Sequence, residues 1–193
     1  MSFASTPTLQ NDRVRLEPLS PAHAEDLVTV VSDGDLWRTW YTSIPRPENV
    51  SAEIDARLVR QQAGEMAPWA IIDRETDRAV GMTSYCNIDE ANRRVEIGYT
   101  WMGRQTHGTT INPSAKLLLL SRAFNDLGCI AVQFLTHWHN RQSRAAIEKL
   151  GAKQDGVLRN HRVMPDGHIR DTVVFSIIDG EWPAVRRGLE ARI

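Results

Sequence analysis

The residues best suited to chemistry gather in one stretch, 93–127, where an extended segment runs through a polar loop into a helix. Val95, Ile97, Tyr99 and Trp101 alternate with Arg94, Glu96, Gly98 and Thr100, the two-residue period of a strand. Leu117, Leu120, Phe124 and Leu127 recur at the spacing of one helix face. Between them the loop 104–112 holds a single glycine, Gly108, just ahead of the helix. A helix entered this way presents unpaired backbone N–H groups and the positive end of its dipole, which together suit an anion. An ordinary strand–turn–helix connection would read the same way, and both readings stand at this point.

Other side chains with chemical potential carry two readings each. Trp37, Trp40 and Tyr41 fall within five residues and either line a ligand cleft or anchor a connection onto the core. His137 and His139 alternate, as metal ligands can. No cysteine or aspartate lies near them to complete a set, so no metal is expected. Arg159, His161, Arg162, His168 and Arg170 flank the turn sequence Pro165-Asp166-Gly167. They form either a solvated basic face or a surface for an anionic acceptor or for a partner's acidic surface.

Composition narrows the class. A chain of 193 residues with 41% hydrophobic and 24% charged residues is sized and proportioned for one globular domain, 1–193, with residues 1–10 expected to be flexible. The net charge of −1 gives no electrostatic footprint for nucleic acid. Cys86 and Cys129, each in an apolar run, read as buried free thiols and not as a disulfide framework. No apolar run is long enough to span a membrane, and the first ten residues lack a signal-peptide pattern, so the expected location is cytoplasmic.

The elements that must position these residues follow in order. A strand near Val14–Leu16 leads through Ser20-Pro21 into a helix at about 21–31, and a second helix covers about 49–63 with Val50, Ile54, Leu58 and Val59 inward. Segments 69–72, 79–88 and the strand carrying Glu96 form an antiparallel meander. The central helix then leads to the apolar run 129–135, a strand covered on both faces. Asn140 caps a short helix that Gly151 ends, two strands form a hairpin, and a last helix starts near Glu181-Trp182-Pro183. The fold class is α/β, a mixed sheet of about seven strands with helices on both faces and one parallel crossover in the middle.

This order contains Glu96-Ile97-Gly98-Tyr99 on a strand and a glycine-bearing loop opening a helix. It also contains Asn140-Arg141-Gln142-Ser143 followed by Glu148-Lys149-Leu150-Gly151-Ala152. Together they resemble the GNAT superfamily of N-acetyltransferases, in the branch of the ribosomal-protein N-acetyltransferases, over nearly the whole chain. The resemblance implies transfer of an acetyl group from acetyl-coenzyme A, as co-substrate, to a primary amine, without metal and without a covalent enzyme intermediate. The amine is that of a small molecule or of a protein N-terminus. A homodimer through the late strands is also compatible with it. A domain that has kept the fold as a ligand-binding or interaction module, with transfer weak or lost, is the alternative.

Site residues follow from the same resemblance. The diphosphate loop corresponds to Gln105, Thr106, His107, Gly108, Thr109 and Thr110, with Asn112 and Lys116 one turn apart at the helix start. Thr110 stands where the family has glycine or alanine, and His107 where a tryptophan is frequent. A β-branched residue resists positive φ, so a tighter loop or weaker cofactor binding is expected. Thr109 and Thr110 hydroxyls are expected to compensate as phosphate donors. Glu96 is the expected base, against a purely structural salt bridge to Arg94 or another arginine. Ser143 is the expected acid, against a hydroxyl bonded to its own helix turn. Asn140 fixes the start of that helix beside the pantetheine arm.

Overall fold

The computed structural model describes residues 2–164 and 166–193. Eight strands form one mixed sheet: β1 (Leu9–Gln10), β2 (Val14–Pro18), β3 (Met66–Asp73), β4 (Arg78–Asp89), β5 (Arg94–Met102), β6 (Ala131–His137), β7 (Lys153–Val163) and β8 (Ile169–Ile178). Their spatial order is β1-β2-β3-β4-β5-β6-β8-β7. All pairings are antiparallel except β5 with β6, the expected crossover. The strand missed by sequence reading is β1, whose two residues are too few for a period to show. It belongs to a lead-in expected to be flexible but docked here. Phe3 is buried, and Pro7 accepts a hydrogen bond from Trp69 Nε1 at 2.9 Å.

Helices cover both faces. On one side α1 (Ala24–Ser32) and α2 (Val50–Gln62) bury Leu27, Val30, Val31, Val50 and Ile54 against Ala70, Ile72, Met82 and Trp101. On the other, α3 (Ile111–Ser121), α4 (Arg141–Lys149) and α5 (Trp182–Glu190) pack Ala115, Leu119, Ile147 and Val185 onto Trp69, Tyr85, Ile97 and Phe175. Removing those apolar side chains from water is the main force holding the layers together.

Two helix faces differ from the expected ones. In α2, Val59 is exposed and Arg57 is buried beside Val50 and Ile54. In α3 the buried side is Ile111, Ala115, Lys116, Leu119 and Leu120, while Leu117 and Phe124 are only partly covered. α3 buries a wider arc than a simple apolar stripe, whereas α2 buries only the narrow stripe of Val50, Ile54 and Arg57. The two cysteines are free and buried, as expected. Of the hairpin turn between β7 and β8, Gly167 has φ of +87°, whereas Pro165 lies outside the described residues.

Candidate active site

The site begins with one extra residue in β5. Ser84 pairs with Gly98 and Met82 with Trp101, so Tyr99 and Thr100 together face the single residue Thr83. Tyr99 takes φ of +51°, a left-handed backbone unusual for a bulky side chain. The strict alternation expected through Trp101 therefore ends at Ile97. Val95 and Ile97 face the α3 side, Tyr99 is partly exposed, and Trp101 enters the core on the α1–α2 side. Arg57 holds the bulge, its Nη1 donating to the Tyr99 carbonyl at 3.0 Å and its Nε pairing with Glu53 at 2.7 Å.

The bend also limits pairing with β6. Only Arg94–Ala131, Val95–Val132 and Glu96–Gln133 are in register, and beyond them the two strands part. A cleft of about 530 Å³ opens between them. Its walls come from β5 beyond Glu96, the end of β6, the loop before α3, the start of α4 and the segment 41–44.

Glu96 lies at the point of divergence, only 6% exposed. Its Oε2 accepts from Asn87 Nδ2 at 2.5 Å, and it forms no ion pair among the described residues. Burial pushes the carboxyl above its ordinary range, while the Asn87 bond and the charges of Arg162 and Arg170 pull the other way. The carboxylate folds over Gly98, where a Cβ would stand 2.7 Å from Glu96 Oε1. Any larger residue at 98 would push it away.

The loop before α3 fits an anion. Gly108 has φ of +77°, and nothing lies within 4 Å of where its Cβ would be. The N–H groups of Gly108, Thr110 and Asn112 find no acceptor among the described residues. Asn112 Oδ1 is buried and unpartnered as well. Unpaired donors at a helix start, those of Gly108 and Asn112 open to a cleft, are what a diphosphate needs. Thr110 has φ of −81°, so the expected clash of a β-branched residue with positive φ does not arise. The Thr109 hydroxyl is committed, donating to the Thr106 carbonyl at 2.7 Å. His107, Gly108, Thr109 and Asn112 line the cleft, whereas Gln105 folds back against Gly103 and neither it nor Thr110 reaches the cleft wall.

Lys116 lies deeper on the same wall, 6% exposed, its Nζ donating to Thr100 Oγ1 at 3.1 Å. Burial lowers its pKa to about 7. It sits one helical turn past Asn112, as expected, but the group it bonds belongs to the bulge.

At the far side, Asn140 Oδ1 accepts the Ser143 N–H at 2.9 Å and caps α4. The Ser143 hydroxyl bonds none of its own turn and lines the cleft, as does Asn140. Sequence reading missed Arg57 as a cleft residue; Arg162 and Arg170, read there as part of a basic face or a surface for an anionic acceptor, line the cleft as well. For Arg57 the signal was its place at i+3 from Ile54, on the apolar side of α2. Of the aromatic trio, Tyr41 lines the cleft. Trp40 packs edge-on against His137 and His168, with ring centroids 5.2 Å apart in each pair. His137 and His139 thus belong to an aromatic cluster. Among the described residues no three His, Cys, Asp or Glu side chains are grouped to hold a metal ion. No helix among them is long and apolar enough to cross a membrane.

Comparison with known proteins identifies the fold and the family. The family model for the acetyltransferase (GNAT) domain matches residues 13–153. A protein of T. thermophilus described as an acetyltransferase is 33% identical, with a TM-score of 0.86 covering 98% of each chain. A GCN5-related N-acetyltransferase from Brucella melitensis is 29% identical, with a TM-score of 0.87 covering 97% of this chain and 85% of that one. YdaF of Bacillus subtilis (strain 168), named as a ribosomal N-acetyltransferase, is 33% identical over 102 residues, or 53% of this chain and 55% of its own length. The chain belongs to the GNAT family of acetyltransferases.

Proposed function

We propose that the protein moves an acetyl group from acetyl-coenzyme A to a primary amine by direct attack. The observation that carries this reading is the convergence on one cleft of a buried carboxylate, unpaired N–H groups at a helix start and an uncommitted hydroxyl. Acetyl-coenzyme A supplies the activated acyl thioester. The loop 107–112 would hold its diphosphate through backbone N–H groups, with Asn112 and Lys116 beside it. Asn140 fixes the start of α4 near the pantetheine arm.

Glu96 takes the proton from the acceptor ammonium, directly or through a water. Its buried setting makes it a better base than an exposed carboxylate. The Ser143 hydroxyl donates to the leaving sulfur. The acceptor is a primary amine, on a protein N-terminus, as the name of the B. subtilis relative suggests, or on a small molecule. An α-amine, with pKa near 8, is neutral about a tenth of the time at pH 7, far more than a lysine, and so suits a single carboxylate base.

The test combines thermal unfolding with and without acetyl-coenzyme A and mass spectrometry of amines incubated with both. Stabilisation by the cofactor and a mass gain of one acetyl group on the amine are expected. An unfolding temperature indifferent to saturating acetyl-coenzyme A would return the chain to a binding or interaction role.

A further inference from the structure

Arg162 and Arg170 stand directly opposite each other across β7 and β8. Both line the cleft, on the side where Glu96 lies. Like charges facing each other across a strand pair repel, and the arrangement loses stability unless something negative offsets it. Two neighbouring basic side chains of this hairpin are already matched. Arg159 Nε pairs with Asp171 at 2.5 Å and His168 Nδ1 with Asp166 at 2.5 Å. Among the described residues neither Arg162 nor Arg170 has an ion pair. Arg170 Nε donates to Thr172 Oγ1 at 2.9 Å, which engages one of the five donors of its guanidinium. The charge of both arginines acts on Glu96, whose carboxyl they hold down against the effect of its burial.

A third group points the same way. His137, 3% exposed, lines the cleft, and its Nδ1 accepts the backbone N–H of His139 at 3.1 Å. A neutral imidazole bonded in that way carries its proton on Nε2. Burial first, and then the charge of Arg170, lowers the pKa of this ring and keeps it neutral. Its Nε2 has no hydrogen-bond partner among the described residues. Two unmatched guanidinium groups and a buried donor without an acceptor leave the cleft short of oxygen at this end.

We infer that the acceptor amine carries an anionic group, a carboxylate or a phosphate, within a few bonds of its nitrogen. Arg162 and Arg170 hold that group, with His137 Nε2–H as a neutral donor, while Glu96 faces the amine. Carboxylate and phosphate share the oxygen geometry that a guanidinium binds through paired N–H groups. Holding the anion there also fixes the distance from the amine to Glu96, so an acceptor without it would be bound in many orientations. This rests on the acetyl-transfer reading and narrows its acceptor.

The experiment uses the full chain, acetyl-coenzyme A and amines in matched pairs. Amino acids are set against their amides, and O-phosphoethanolamine against ethanolamine, with thiol release giving kcat/KM. The anionic member of at least one pair is expected to be preferred about ten- to a hundredfold, the range of a charged hydrogen-bonded contact. Which pair shows the preference separates carboxylate from phosphate. Arg170→Gln and Arg162→Gln are each expected to collapse that ratio, mainly through KM, with stabilisation by acetyl-coenzyme A retained as proof of fold. Arg159→Gln, outside the cleft, should leave the ratio as it is. Equal use of neutral partners, a ratio untouched by both cleft variants, or no turnover of any anionic amine despite cofactor binding would each overturn the inference. Failure of acetyl-coenzyme A to bind the wild-type chain would instead remove the transfer reading, and this inference with it.

Discussion

Arg57 in α2 donates to the backbone carbonyl of Tyr99 at 3.0 Å, so a buried guanidinium holds the irregular backbone that parts β5 from β6. The same side chain pairs with Glu53 and reaches Ser84 Oγ at 3.3 Å. Arg57→Ala should cost about 1.5–3 kcal/mol of stability, the worth of a hydrogen bond to a charged group. Urea unfolding measures it. Arg57→Lys should recover only part, because an ammonium cannot reach several acceptors from one planar fork. An alanine variant with the wild-type midpoint would show that the bulge needs no such brace.

Gly108→Val separates folding from binding. The built Cβ meets nothing, so the fold should bear the change at about 1–2 kcal/mol for the left-handed backbone. The diphosphate, however, would lose its close approach to the chain. Calorimetry should therefore find acetyl-coenzyme A affinity reduced at least tenfold in a folded variant. Wild-type affinity would move the anion site elsewhere.

Glu96→Gln should cut turnover about a hundredfold or more, a usual contribution of a positioned base, with the largest loss at low pH. Stability should move the other way. Burial raises the Glu96 pKa above its ordinary 4.5, so the folded state keeps this proton longer than the unfolded one. The wild type therefore loses stability as pH rises from 4.5 through the folded pKa, and the glutamine variant does not. A variant less stable than wild type at neutral pH, with full activity, would assign Glu96 to structure alone.

For Ser143→Ala, cofactor affinity should hold, since the cap at Asn140 uses the backbone of residue 143 and not its hydroxyl. Turnover under conditions where chemistry limits the rate should fall about ten- to a thousandfold. Rapid-quench measurement of a single turnover is the direct check. An unchanged rate would take Ser143 out of the reaction.

Lys116 gives a prediction from pH alone. Its pKa falls to about 7 on folding, from an ordinary 10.5, so between those values the unfolded chain binds a proton that the folded chain does not. Stability from this group should accordingly rise with pH across that window. Lys116→Met, unfolded in urea at pH 6.5 and pH 9 (about half a unit below and two units above the shifted value), should outperform the wild type most at the lower pH. Parallel pH curves for the two proteins would mean that the lysine is well solvated or paired.

Much of this arrangement was legible in the sequence because local chemistry dictates it. The crossover from β5 through α3 to β6 follows from periods and breakers, and the Asn140 cap from one side chain. The loop at Gly108 follows from its place ahead of a helix. What escaped depends on contacts distant in the chain. Alternation from Val95 to Trp101 presupposes an unbroken register, and only the partner strand reveals that Tyr99 and Thr100 share Thr83. Arg57 went unread although it lies at i+3 from Ile54, and nothing in the place of Lys116 one turn past Asn112 reveals that it is buried against the bulge. Arg162 and Arg170 were grouped with Arg159 and His168, and only the cross-strand register separates the matched charges from the unmatched ones.

The bulge at Tyr99 makes β5 behave like a text with a shifted reading frame. Every side chain after it changes face, so Trp101 reaches the α1–α2 core and Thr100 is close enough for Lys116 to bond. Deleting this one residue would not be a local wound. Trp101 and Thr100 would keep their faces, because losing the extra residue restores plain alternation between Gly98 and Trp101, but the bend would be gone, and β5 would run on beside β6 until the gap between them was zipped shut.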